Sequence, residues 1–169
     1  MVLSTPPRAL LFDVFGTCVD WRKSVVGTLQ EQAQLSLNSA TASLARPVKL
    51  KASSMTTSDW GLFAQQWRDG YKKFTQKLAE DPSLPWMSVD EHHLVSLRRL
   101  VIEWEIEGLW GDEELQNMSL VWHRLVPWDD SVAGIALLNQ SFCMSLVATS
   151  SQEFTTDDLQ ILVRYLTET

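Results

Sequence analysis

The chain begins with a compact apolar run, "RALLFDVFG", bounded by Pro6-Pro7 before it and Gly16 at its end, which predicts a short buried strand. Beyond it the period changes. Trp21, Val25, Leu29 and Ala33 recur at steps of four through "WRKSVVGTLQEQAQ", the spacing of one helix face. Residues 35–58, "LSLNSATASLARPVKLKASSMTTS", are rich in Ser, Thr and Ala and hold no sustained period, so they read as a polar excursion. A stripe of Trp60, Phe63, Ala64, Trp67, Tyr71, Phe74 and Leu78 then predicts a second helix, with Ser58 or Asp59 as its cap.

"DPSLPW" interrupts the pattern, after which Ser88 and Glu91 have the spacing of a capping box ahead of Leu94, Leu97, Val101 and Trp104. Asp112 starts a further helix, whose Leu115, Met118, Trp122 and Leu125 share one face until Pro127 ends it. Past "VPWDDS", a short helix over Val132 to Asn139 leads into "SFCMSLVATS", an apolar run of strand length. Thr155 and Asp158 form a capping signal before "LQILVRYL". The order strand, helices, strand, helix predicts an α/β protein: a sheet core with a helical insertion between its first two strands.

Composition narrows the class. The 169 residues suit one domain with a modest insertion, and 45% hydrophobic with 21% charged residues is a globular balance. No stretch reaches the roughly 18 uninterrupted apolar residues of a membrane span, so no membrane partner is expected. The N-terminus lacks a charged lead and its apolar run stops at Asp13, which argues against a secretory signal and for a cytoplasmic location. A net charge of −7, a pI near 4.9 and the lack of a basic stripe exclude a broad nucleic-acid surface. Cys18 and Cys143 sit in apolar contexts without metal-ligand spacing, as reduced, packed thiols do. The eight Trp follow no repeat period; most read as core residues, with a few free to line an apolar pocket. His92, His93 and His123 fall within helical patterns with no ligand partner at metal spacing, so they read as structural.

Candidate chemistry lies at the strand ends. In open α/β sheets ligands bind beyond the carboxyl ends of the strands, and Asp13 stands at one such end. Thr149, Ser150 and Ser151 follow the second strand, and if the two strands are parallel neighbours both groups face one cleft. By residue type alone, an Asp at a strand terminus is more often a turn former or helix cap. The full string "FDVFGTCVDWRKSV" says more: it resembles the first motif of the haloacid dehalogenase superfamily, and within it the type II 2-haloacid dehalogenases. "FAQQWRDGY", "MSVDEHHLVSL", "VWHRLVPWDDSVAGIALL" and "SLVATSSQEF" are similar to segments of that branch in the same order.

The resemblance implies an incomplete Rossmann-like parallel-sheet core, residues 1–20 and 127–169, with an inserted α-helical cap over 21–126 that includes the polar insertion at about 35–58. It implies that Asp13 attacks the halogen-bearing carbon of a short 2-haloacid, or a related small organic acid, and forms an ester that water then hydrolyses. Thr17 would hydrogen-bond the Asp13 carboxylate, and backbone N–H groups after Asp13 would stabilise the ester oxygen. No metal and no cofactor are implied. Phosphatases of the superfamily place a second Asp two residues after the nucleophile as a proton donor; Phe15 occupies that position here, which makes phosphoryl transfer the lesser alternative. The arginine matching Arg68 binds the departing halide or the substrate carboxylate. Ser151 matches the hydroxyl of the second motif, and Gln152 keeps an amide donor, whereas Glu153 departs from the pattern and adds negative charge near an anionic substrate.

In the family a lysine and a Ser-Asn-x-x-Asp segment follow the second-motif serine, and this chain ends before either. The expectation is therefore a dehalogenase-type hydrolase, with a second one beside it: a truncated, catalytically impaired fragment that associates across an open sheet edge, as a homodimer.

Overall fold

The computed structural model describes residues 9–40, 43–81 and 83–147. In chain order the elements are β1 (Ala9–Asp13), α1 (Trp21–Asn38), α2 (Arg46–Ser54), α3 (Thr57–Glu80), α4 (Val89–Glu103), α5 (Asp112–Ser119), a 3₁₀ turn (Leu120–His123), α6 (Ser131–Leu138) and β2 (Cys143–Val147). They fall into two compact units. One holds the residues up to Trp21 and those from Val126 onward, and the other is Arg22–Leu125.

In the first unit β1 and β2 pair in parallel, with Ala9 opposite Cys143 and Asp13 opposite Val147. Parallel neighbours cannot be joined by a hairpin, so the chain between them has to cross over. Val14, Cys18, Val19 and Trp21 are buried where β1 leaves the sheet, while Leu11 on β1 is 71% exposed. Both cysteines are free thiols, but only Cys18 is buried. Cys143 opens β2 and is exposed, which corrects the expectation of two packed thiols: an apolar neighbourhood in sequence does not cover the first residue of a strand. The helix expected after Thr155 lies outside the described residues.

The second unit is helical. Val25, Leu29 and Ala33 bury one face of α1, as their spacing requires. The polar excursion expected at 35–58 is instead largely helical. α1 continues to Asn38, with the buried Ser36 hydroxyl donating to the Gln32 carbonyl at 3.1 Å, and α2 follows with Pro47 in its first turn. Its buried residue is Ala52, so α2 has no apolar stripe for periodicity to detect. α3 buries Trp60, Phe63, Ala64 and Trp67, and its cap is Thr56 rather than Ser58 or Asp59. Asp59 is the reciprocal partner in that capping box, accepting from the Thr56 amide at 2.7 Å.

Ser88 and Glu91 form the expected capping box at the start of α4. That helix ends with Glu105 at φ 58°, where the amides of Glu105 and Ile106 donate back to Ile102 and Val101, a Schellman closure that buries Ile106. α5 starts at Asp112, capped by the Glu114 carboxylate on the Gly111 amide, but it stops at Ser119 and tightens into the 3₁₀ turn before reaching Leu125. Among the described residues, no helix is long and apolar enough to cross a membrane.

The aromatic stripe of α3 meets α4 and the 3₁₀ turn in a cluster of rings. The Trp67 indole donates to the His93 carbonyl at 3.0 Å, His93 stacks on Trp122 with centroids 4.8 Å apart, and His92 stacks on Phe74 at 4.4 Å. Burial holds both histidines neutral, His92 down to about 4 with help from nearby Arg99, and His93 down to about 3 with help from His92 and His123. Unfolded histidines titrate near 6.5, so the unfolded chain takes up more protons below that pH. The stability is intact above pH 6.5 and is lost as pH falls from there toward 4 and 3. A urea titration at pH 7 and at pH 4 is expected to show a loss on the order of a few kcal/mol, reduced in His93→Phe. Equal loss in both proteins would remove His93 as its source.

Candidate functional site

Asp13 is the last residue of β1, and its carboxylate is exposed at the carboxyl end of the strand beside Val147. The turn that follows is built around one oxygen. The Val14 carbonyl accepts from the amides of Thr17 (3.3 Å), Cys18 (2.9 Å) and Val19 (3.2 Å), and the Gly16 amide donates to Val19 at 3.0 Å. Closing so tight a loop puts Gly16 at φ 91°, in the left-handed region that favours glycine. The turn brings Thr17 back over the strand end, where its hydroxyl donates to Asp13 Oδ2 at 3.2 Å.

Further contacts fix the backbone beneath the carboxylate. The Cys18 thiol donates to the Asp13 carbonyl at 3.2 Å. Burial raises the pKa of that thiol, and the negative charge of Asp13 raises it further, so Cys18 stays protonated and is a poor nucleophile. From the far side of the sequence, the Trp128 amide donates to the Cys18 carbonyl at 3.1 Å, the Trp128 indole donates to the Gly16 carbonyl at 3.2 Å, and Val19 bridges Pro127. No chemical signal in "VPWDDS" pointed to this clamp, because it depends on a pairing between distant segments.

Asp13, Phe15 and Thr17 thus share one turn, with Phe15 half-buried. Arg68 lies on α3 in the helical unit, half-buried and adjacent to the fully buried Trp67. Ser151 and Gln152, like Thr149, Ser150 and Glu153, lie outside the described residues. The described residues contain no group of three or more His, Cys, Asp and Glu able to hold a metal ion.

No protein-family model matches the chain, and no curated protein matches it. Solved structures do. A defluorinating L-2-haloacid dehalogenase superposes with a TM-score of 0.66 at 23% identity, covering 94% of this chain and 56% of its own. A second L-2-haloacid dehalogenase gives 0.66 at 26% identity, over 95% of this chain and 58% of its own. The fold is that of the L-2-haloacid dehalogenases. The enzyme from Xanthobacter autotrophicus gives 0.63 at 19% identity over 96% and 54%, and its structure with chloropropionic acid covalently bound gives 0.56 at 20% identity. This chain spans a little over half the length of these dehalogenases.

Within the dehalogenase fold, Gly16 is the residue whose replacement tests the turn. A Cβ there would meet the Trp21 ring no closer than 3.9 Å, so Gly16→Ala introduces backbone strain rather than a clash. The expected cost is about 1 kcal/mol or more, read from the urea midpoint at unchanged slope. A neutral substitution would contradict the conformation assigned to this turn.

Proposed function

We propose that the chain carries the nucleophile of a 2-haloacid dehalogenase, a hydrolase acting on carbon–halogen bonds. An Asp13 oxygen forms a bond to the carbon bearing the halogen as the carbon–halogen bond breaks, and halide leaves with the bonding pair. Water then adds to the Asp13 carbonyl carbon, which releases a 2-hydroxy acid and restores the carboxylate. The observation that carries this reading is the exposed Asp13 at the end of β1 with the Thr17 hydroxyl on it, in the fold of L-2-haloacid dehalogenases. One of those enzymes has chloropropionic acid covalently bound.

Other residues take roles consistent with that chemistry. Thr17 holds one carboxylate oxygen and leaves the other to attack. Phe15 offers no proton to a leaving group, which sets this turn apart from phosphoryl transfer. Arg68 receives the halide or the substrate carboxylate, and Ser151 and Gln152 bind that carboxylate. The test is incubation with 2-chloropropionate, following halide release and the intact mass. The expected result is halide release with an ester on Asp13, abolished in Asp13→Asn. A folded protein that gives neither halide nor adduct would overturn the proposal.

The exposed Leu11 on a sheet with two strands among the described residues favours a second reading, self-association across the open edge. Size-exclusion over a range of concentrations is then expected to show a dimer that Leu11→Lys dissociates. A compact monomer at every concentration would exclude it.

A further inference from the structure

The geometry points to Trp128 as a positioning residue for Asp13, acting through the indole N–H on the Gly16 carbonyl. The inference rests on the proposed role of Asp13 as nucleophile and extends it to a residue given no role there. Gly16 is the pivot of the turn, since its left-handed φ sets the direction in which the next residue, Thr17, presents its hydroxyl to Asp13. A glycine also has the widest conformational freedom in the chain, so a catalytic turn that pivots on one needs an external restraint. Trp128 supplies it. Its indole fixes the Gly16 carbonyl at 3.2 Å, its own amide fixes the Cys18 carbonyl at 3.1 Å, and Asp20 donates to Val126 at 2.8 Å.

The indole bond holds the Gly16–Thr17 peptide at its carbonyl, the Cys18 amide on Val14 holds the Thr17–Cys18 peptide, and the Trp128 amide holds the next one at the Cys18 carbonyl. With the Gly16 carbonyl held from outside the turn and the Cys18 amide held within it, the peptide planes flanking Thr17 cannot rotate freely, and the hydroxyl stays within reach of Asp13 Oδ2. Trp128 is 41% exposed, so it is not chiefly a core residue, and its indole hydrogen bond is separable from packing. Removing the N–H leaves the Trp128 backbone bond to Cys18 in place. The substitution Trp128→Phe therefore isolates the restraint on Gly16.

The experiment is a double-mutant cycle of Trp128→Phe with Thr17→Val, read as kcat and KM for halide release from 2-chloropropionate. Amide exchange at residues 16–20 is measured in parallel as a readout that does not need activity. Trp128→Phe is expected to lower kcat about tenfold with KM within about twofold of the parent, the cost of one lost hydrogen bond at the nucleophile. In the Thr17→Val background the same change is expected to cost less than about twofold, because the hydroxyl it positions is already gone. Exchange at Thr17 and Cys18 is expected to accelerate while the global unfolding midpoint stays close to the parent's.

Equal losses in both backgrounds, or no loss in either, would overturn the proposal. An active parent with unchanged rate and exchange in Trp128→Phe rejects the clamp and leaves the haloacid reading standing. An inactive parent whose exchange accelerates in Trp128→Phe rejects the haloacid reading, and with it the positioning role, while the restraint itself stands. If the Phe variant fails to fold, a benzothiophene analogue of tryptophan at position 128 keeps the ring without its N–H and serves the same cycle.

Discussion

The parallel pairing of β1 with β2 is the constraint on which the candidate site depends. It joins segments at opposite ends of the described chain, and its register sets Asp13 against Val147 at the carboxyl end of both strands. A hairpin could not make this connection, so a long crossover is required, and the helical unit lies within it. A separate antiparallel bridge between Val19 and Pro127 sets Trp128 beside the turn after Asp13. The Asp13 carboxylate can therefore stand exposed beside a turn whose backbone is held from several directions.

The two units divide the physical work. Among the described residues, helix packing supplies most of the buried apolar side chains, through Trp60, Phe63 and Trp67 on α3 and Leu97, Leu100 and Val101 on α4. It also buries two histidines, which makes the helical unit sensitive to acid. The sheet unit supplies directed hydrogen bonds instead. Its turn spends Gly16, Thr17 and Cys18 on the geometry around one carboxylate, and burial keeps the Cys18 sulfur protonated.

Much of this was legible in sequence where one face of an element is buried. The steps of α1 and the aromatic stripe of α3 came through because burial imposes a period of 3.6. The capping box of Ser88 and Glu91 was legible because it is local. α2 was not, since a short helix that buries Ala52 leaves no stripe, and Pro47 among serines and alanines reads as a break. The α3 cap was misplaced because Thr56, Thr57, Ser58 and Asp59 are all capping types, and the backbone decides among them. At the site, the position of Asp13 followed from its strand, and the contact of Thr17 with it from a motif. The contact of Trp128 with this turn was invisible, because its partner Gly16 lies 112 residues earlier in the chain and no local pattern encodes it.

In the proposed reaction Asp13 itself becomes bonded to the substrate, and the fate of a solvent oxygen reports whether it does. In heavy-oxygen water with limiting 2-chloropropionate, the account predicts that the label enters the peptide containing Asp13, or, if hydrolysis is slow, that the same peptide retains the ester. Halide release with the label found only in the hydroxy acid, and the Asp13 peptide unchanged, would contradict it.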